Sequence, residues 1–215
     1  MDDTETAVII RQVLQAISFL HNKQIVHRDL KPDNIMMTSL QPGRRIVLTD
    51  FGLARRIEEV TDPKIPNSPR KPKRLYSKVG TPDYRAPEVN AAHRGLLGYS
   101  GKSVDMWSIG IITAVLLSGT TFGADDLREE KEPGRVLMEH AAVANLRKFE
   151  TEDVWKSVGK RPKDFIKKLI TAEGNRITAD EALNHHWFSN HHHKKVVHES
   201  PRILIDCVLT LVTGL

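Results

Sequence analysis

The stretch IVHRDLKPDNIMM, residues 25–37, holds an arginine–aspartate pair, a lysine and an asparagine in one short polar loop between two apolar runs. Asp29 has basic neighbours, which suit a carboxylate that stays ionised at neutral pH, orients a hydroxyl group and accepts its proton. Lys31 would supply a positive charge to a phosphoryl group, and Asn34 offers an amide oxygen to a hard cation such as Mg²⁺. The stretch therefore predicts a polar reaction site in a loop.

The segments on either side of this loop predict its supports. Residues 6–22 carry apolar side chains at three- and four-residue spacing, which predicts an amphipathic helix. The short β-branched runs NIMM (34–37) and RIVLTD (45–50) are separated by turn residues and predict a small hairpin. Asp50 at its end would be a second metal ligand, and Gly52 would allow a sharp turn there.

The second half of the chain is predicted to be helical. Residues 103–119 are apolar nearly all round and end at Gly119, which predicts a helix buried at the centre of the domain. Residues 135–149 and 162–171 have amphipathic patterns. A capping box of Thr178 and Glu181 predicts a further helix that continues to about Phe188.

Residues 53–80 contain four prolines and many charges without periodicity, which predicts a long mobile loop. Basic residues crowd between Arg55 and Arg74, and the net charge of the whole chain is +5. This crowding fits either an acidic partner or phosphorylated residue, or a solvated loop without a partner.

In this order and spacing, the motifs resemble those of eukaryotic protein kinases. HRDLKPDN (27–34) resembles the catalytic loop, DFG (50–52) the metal-binding turn, and GTPDYRAPE (80–88) the end of the activation segment. SVDMWSIG and GNRITADEAL extend the resemblance, which covers roughly residues 5 to 189. It implies the large lobe of a kinase domain, mainly α-helical, with a small β-hairpin near the catalytic loop.

The resemblance also assigns roles in catalysis. Asp29 would be the catalytic base, Lys31 would stabilise the transferred phosphate of ATP, and Thr81 would contact both. Asn34 and Asp50 would bind Mg²⁺. Lysine at position 31 together with GTPDY is the serine/threonine pattern, so the implied substrates are protein serine and threonine hydroxyls. Met36 would form the floor of the nucleotide site.

Further residues have implied regulatory or structural roles. Arg28 would bind a phosphorylated activation loop, and Ser77 is at the position where many relatives carry the activating phosphate, added by another kinase or by self-phosphorylation. An unmodified loop serine is the alternative. Asp105 would hold the catalytic-loop backbone, and Arg176 would pair with Glu88.

Within the family, ALNHHWF and SGKSVDMWSIGII most resemble the calcium/calmodulin-dependent group, and GTPDYRAPE resembles fungal checkpoint and meiotic kinases. His186 stands where that group usually has proline. Asp33 lies where relatives often carry an acidic residue facing basic substrates, so we expect basic residues near the target hydroxyl.

No glycine-rich strand pair and no Val-Ala-Ile-Lys stretch precede His27. The sequence therefore predicts residues 1–189 as the large lobe alone, without the β-rich small lobe. A tail of unassigned role follows at 190–215, and we expect part of it to be disordered. Two functions stay open: a serine/threonine kinase, or a catalytically inactive large lobe that docks substrates or kinase partners.

The remaining features favour ordinary structural roles. The histidines near the end are consecutive and lack a cysteine, which favours a solvated run over a zinc site. The three tryptophans are expected in the core. A single cysteine, Cys207, indicates a reducing compartment, and the acidic start MDDTETAV is unlike a signal peptide. We expect an intracellular protein, nuclear or cytoplasmic, with neither nucleic-acid nor membrane partners.

Overall fold

The computed structural model describes residues 1–38, 45–61, 67–93, 98–119, 149 and 153–191. Five α-helices lie in these ranges: α1 (Asp3–Asn22), α2 (Pro87–His93), α3 (Gly101–Ser118), α4 (Lys160–Leu169) and α5 (Ala179–Leu183). The short strands are β1 (Ile25–Val26), β2 (Ile35–Met37), β3 (Ile46–Leu48), β4 (Arg55–Arg56), β5 (Glu59–Val60) and β6 (Lys71–Pro72). The helix predicted at 135–149 lies outside the described residues except for Phe149, as does the tail beyond 191.

Helix α1 begins at Asp3, three residues before the predicted start. The Asp2 side chain caps it by accepting a hydrogen bond of 2.6 Å from the Glu5 N–H. The first turn of α1 also carries acidic residues, and their negative charges interact favourably with the positive N-terminal end of the helix dipole. The predicted apolar face of α1 is buried against α3 and α5.

Helix α3 is the buried central helix that the sequence predicted. It ends at Ser118, and Gly119 follows in the left-handed conformation with a φ of 73°. Its middle approaches the end of α4 so closely that a Cβ on Gly110 would lie 2.9 Å from both Leu169 Cβ and Ile170 Cγ1. The absence of a side chain at Gly110 therefore sets the distance between these helices.

The predicted hairpin is confirmed, because β2 and β3 pair antiparallel with Met36 opposite Val47. In the segment 53–80, predicted as a long mobile loop, the described residues 53–61 and 67–80 are more ordered than the composition indicates. Strand β4 pairs with β1, and β5 pairs with β6. These strands are two residues long, and distant segments supply their partners, so local periodicity could not reveal them.

The capping box of Thr178 and Glu181 is present at α5, as predicted. The helix ends at Leu183, however, well short of Phe188. The chain tightens there, since the His185 N–H donates to the Ala182 carbonyl at 3.1 Å, and a 3₁₀ segment, His186–His191, follows. This tightening lets Trp187 and Phe188 both turn into the core.

All three tryptophans, Trp107, Trp155 and Trp187, are buried as predicted. The residues around them form two apolar clusters: one packs α1 against α3 and α5, and the other packs α3 against the activation segment and α4. Within the described ranges, no helix is long and apolar enough to cross a bilayer.

Candidate active site

The catalytic-loop backbone is fixed by Asp105, a buried residue of α3. Its carboxylate accepts hydrogen bonds from the His27 N–H at 3.0 Å and the Arg28 N–H at 2.8 Å. Arg28 has a φ of 67°, a left-handed conformation that an arginine rarely adopts and that costs on the order of 1–3 kcal/mol. The Asp105 carboxylate therefore holds this loop in a conformation that the local sequence would not favour.

Asp29 and Thr81 are joined by two hydrogen bonds. Asp29 Oδ1 accepts one from the Thr81 N–H at 2.7 Å and one from the Thr81 hydroxyl at 2.8 Å. Lys31 Nζ lies 3.1 Å from Thr81 Oγ1 and 3.4 Å from Asp29 Oδ2. Burial acts to raise the pKa of Asp29, but the two Thr81 bonds and Lys31 outweigh it, so the pKa lies below its ordinary value. Asp29 is therefore a carboxylate at neutral pH.

Gly80 allows Thr81 to reach the catalytic loop. Its φ is 91°, and a Cβ at this position would lie only 2.6 Å from the Arg28 carbonyl oxygen. Only glycine meets both conditions without strain. The glycine in GTPDY therefore brings the activation segment against the loop that carries Asp29.

The hairpin brings Asn34 and Asp50 to the same end of β2 and β3. The Thr49 N–H donates to the Asn34 carbonyl at 3.0 Å, which places Asn34 beside the residue before Asp50. The Asn34 amide donates to the Asp29 carbonyl at 2.8 Å, so its side-chain oxygen is left to accept or to bind a cation. Asp50 has an exposed carboxylate. One amide oxygen and one carboxylate are donors that suit Mg²⁺.

Met36 lies in β2 two residues after Asn34, and 56% of its surface is exposed. Met37 beside it is also exposed. Both are consecutive residues of β2, so their side chains point to opposite faces of the hairpin, and Met36 is the one that the sequence predicted as the floor of the nucleotide site.

Arg28 connects the catalytic loop to the activation segment. Its Nη1 donates to Ser77 Oγ at 2.9 Å, and its Nε donates to the Leu53 carbonyl at 2.7 Å. Ser77 is exposed, and its carbonyl accepts from the Tyr99 hydroxyl at 2.8 Å. The guanidinium group thus already faces the hydroxyl that the sequence predicted as a phosphorylation site.

Glu88 and Arg176 form a buried ion pair with an Nη1–Oε1 distance of 2.6 Å. Arg176 also donates to the carbonyls of Ser103 and Thr171, at 2.8 and 2.7 Å. These contacts join the end of the activation segment to the first turn of α3 and to the loop after α4.

His21 belongs to the site's support, although the sequence analysis did not select it. Its Nε2 lies 2.9 Å from Asp105 Oδ2, and both side chains are buried. The available signal was its position in the last turn of α1, six residues before His27.

His185, His186 and Asp164 form a cluster in which one possible ligand atom of each side chain lies within 4.8 Å of those of the other two. Both ring nitrogens of His185 are already engaged, with Asp164 Oδ2 at 3.0 Å and with the Trp187 N–H at 3.2 Å. His185 is also buried, so it has a structural role, and the prediction of a solvated histidine run is wrong for this residue. Of the remaining histidines in the run, His192, His193 and His198 lie outside the described residues.

Comparison with known proteins identifies the class. Residues 1–188 match the protein kinase domain family. The meiosis-specific serine/threonine-protein kinase MEK1 of Saccharomyces cerevisiae is 33% identical over 94% of this chain. The corresponding mek1 of Schizosaccharomyces pombe is 36% identical over 88% of it, and the calcium/calmodulin-dependent protein kinase type I of the same yeast is 36% identical over 87%.

The chain belongs to the protein kinase family. Within it, the chain is similar to serine/threonine kinases of the calcium/calmodulin-dependent and fungal meiotic types, as the motifs predicted. It spans only part of these proteins: 42% of the first, 38% of the second and 49% of the third.

Proposed function

We propose that this chain is the large lobe of a serine/threonine protein kinase that transfers the γ-phosphate of ATP to protein hydroxyl groups. The observation that carries this proposal is the convergence of Asp29, Lys31 and Thr81 within hydrogen-bond distance, although Thr81 is 52 residues from Asp29 in sequence. The family match over residues 1–188 supports it. The proposed lobe ends near residue 189, and the tail 190–215 has no assigned role.

Asp29 would orient the attacking hydroxyl group. Thr81 engages Oδ1, whereas the contacts of Oδ2 with Asn34 Nδ2 and Lys31 Nζ are both long, at 3.4 Å. Oδ2 is therefore the oxygen left to accept the substrate proton. The hydroxyl oxygen forms a bond to the γ-phosphorus, the bond from that phosphorus to the β–γ bridging oxygen breaks, ADP leaves, and the hydroxyl proton passes to Asp29.

Lys31 would stabilise the phosphoryl group during transfer, since its ammonium group lies beside the Asp29 carboxylate. Asn34 and Asp50 would hold Mg²⁺, which when bound neutralises part of the phosphate charge. Met36 would pack against the base of the nucleotide. Protein kinases in general use ATP and Mg²⁺, and the donor set at Asn34 and Asp50 is consistent with that requirement.

Phosphorylation of Ser77 would strengthen a contact that is already present. A phosphate there would carry close to two negative charges and could pair with the Arg28 guanidinium group, now 2.9 Å from the Ser77 hydroxyl. This charge-assisted contact would order the activation segment. An activating kinase or self-phosphorylation could supply it.

We further propose that Asp33, which is exposed, contacts basic residues near the target serine or threonine, and that the protein acts in the nucleus or cytoplasm. A peptide array in which basic positions vary around one serine tests the first point. A flat response would remove Asp33 from substrate selection.

The first experiment is isothermal titration calorimetry of the purified chain with ATP and Mg²⁺. We expect Mg²⁺-dependent binding that Asp50→Ala abolishes. Phosphate transfer to a serine peptide should then fall by about 100-fold or more in Asp29→Asn, because a positioned general base contributes roughly that factor. Asp153→Asn, an exposed change outside the site, is the control.

No Mg²⁺-dependent nucleotide binding would contradict the proposal for this chain. It would favour the second candidate, a catalytically inactive lobe that docks substrates or kinase partners. The exposed apolar pair Met36 and Met37 is the observation that supports such docking.

A further inference from the structure

The activation segment presents a basic surface that the proposed chemistry does not use. It consists of Arg55, Arg56, Arg70 and Lys71, all exposed, and we call it the basic ribbon. The pairing of β5 with β6 places Lys71 opposite Val60, which lies four residues after Arg56. The folded chain therefore concentrates charges that the sequence spreads over a long segment.

The two acidic residues that the structure describes in the same segment, Glu58 and Glu59, have partners of their own. Glu58 forms an ion pair of 2.8 Å with Lys73, and the hydrogen bond from Lys73 holds the pKa of Glu58 below its ordinary value. Burial lowers the pKa of Lys102, and Glu59 lies close enough to oppose that effect. Glu58 is thus paired with Lys73, and the charge of Glu59 is partly balanced by Lys102.

Three cations of the basic ribbon are left without a counter-charge. The side chains of Arg56, Arg70 and Lys71 form no hydrogen bond or ion pair with any residue in the described ranges. Beside them Val60 is 43% exposed, which adds an apolar contact to the charged surface. A peptide that supplied carboxylates or phosphates would complement this surface in charge.

The basic ribbon is connected to both segments that build the active site. Arg55 and Arg56 pair with Val26 and Ile25, directly before the catalytic loop. The Ile57 N–H also donates to the Gln24 carbonyl at 2.7 Å. On the other side, the chain runs from Lys71 to Ser77 and then to Thr81. A peptide bound here would therefore contact segments that continue along the chain into those carrying Asp29 and Thr81.

We propose that the basic ribbon docks an acidic segment of protein substrates, rich in glutamate or aspartate. This inference rests on the proposed kinase function, because the docked proteins are substrates only if the chain is a kinase. The binding itself does not require catalysis. The docking segment lies apart from the residues near the target hydroxyl, which Asp33 would select.

The test is fluorescence anisotropy without nucleotide, using a labelled glutamate-rich peptide. Two further peptides carry lysine or phosphoserine in place of the glutamates. They test whether binding requires negative charge, and whether carboxylates or phosphates supply it. The variant is Arg70→Glu/Lys71→Glu. Its matched control, Lys160→Glu/Arg161→Glu, makes the same change in net charge at two exposed residues of α4 that form no ion pair in the described structure.

We expect the glutamate peptide to bind and the lysine peptide not to. Binding of the phosphoserine peptide alone would overturn the proposal in favour of a phosphorylated ligand. The ribbon variant should weaken the affinity by about tenfold or more, with the control close to the unmodified chain. Binding should also weaken as salt rises, because the contacts are exposed charges. Circular dichroism verifies that both variants are folded.

Equal losses in the two variants would overturn the proposal, because net charge alone would then explain binding. Tighter ribbon-dependent binding of a single-stranded RNA than of the peptide would also overturn it, in favour of a nucleic acid. Ribbon-dependent peptide binding by a chain that transfers no phosphate would uphold the surface while removing the proposed function. Phosphate transfer to protein substrates that the ribbon variant leaves unchanged would uphold the proposed function and remove the docking surface.

Discussion

At the scale of single residues, the hydrogen bonds from Thr81 help to lower the pKa of Asp29. Thr81→Val removes the hydroxyl hydrogen bond and keeps the backbone one, so we expect the pKa of Asp29 to rise toward its ordinary value. Carboxyl NMR titration of Asp29 measures this change, and Thr81→Ser, which retains the hydroxyl, is the control. An unchanged pKa in Thr81→Val would contradict the assigned cause.

The same bond predicts a dependence of stability on pH. A carboxylate whose pKa is depressed by folding stabilises the protein above its unfolded pKa of about 3.9, and this stabilisation is lost as the pH falls through the folded value. Thr81→Val should therefore lower the free energy of unfolding by about 1–3 kcal/mol at neutral pH. The difference from the unmodified chain should shrink below about pH 4. Urea unfolding at both pH values measures it.

Asp105 provides the second residue-scale prediction. Asp105→Asn would turn an amide N–H toward one of the groups that donate to this carboxylate, which include the N–H groups of His27 and Arg28. We expect a loss of about 2–4 kcal/mol in the free energy of unfolding, since a buried donor is left unsatisfied and a charged acceptor is lost. Denaturant titration measures the loss, and Asp153→Asn, an exposed site, should be close to neutral.

At the scale of elements, the contact between α3 and α4 depends on Gly110. Gly110→Ala would place a methyl group 2.9 Å from Leu169 Cβ and from Ile170 Cγ1. Overpacking costs about 1–3 kcal/mol, which exceeds the roughly 0.5–1 kcal/mol that alanine gains inside a helix. Thermal unfolding should show a lower Tm. Gly174→Ala, where a Cβ meets nothing within 4 Å, is the matched control.

At the scale of the whole molecule, Arg176 holds together segments that are far apart in sequence. Arg176→Met would leave Glu88 buried without its partner, so we expect a loss of about 3–5 kcal/mol in the free energy of unfolding. The double variant Arg176→Met/Glu88→Leu removes both charges and should recover part of that loss. A double variant no more stable than Arg176→Met would show that packing around the arginine, rather than the unpaired carboxylate, causes the loss.

Across the whole molecule, some elements are decided by neighbouring residues and others by contacts between distant segments. Periodicity and capping residues predicted α1, α3, the hairpin and the start of α5, because their apolar faces and caps depend on neighbours within a few residues. The predicted end of α5 was wrong by several residues, because the burial of Trp187 and the hydrogen bonds of His185 determine where the helix ends. The strands in 53–80 were missed, because their partners are contributed by residues 25–26 and by each other.

The sequence by itself determined which residues could carry the chemistry, because Asp29, Lys31, Asn34 and Asp50 lie in short motifs whose spacing is local. Only the tertiary structure decided how they are held. The left-handed Arg28, the support of Asp105 by His21 and the approach of Thr81 to Asp29 all depend on contacts across dozens of residues. The basic ribbon likewise required strand pairing, since charges separate in sequence form one surface only when the backbone brings them together.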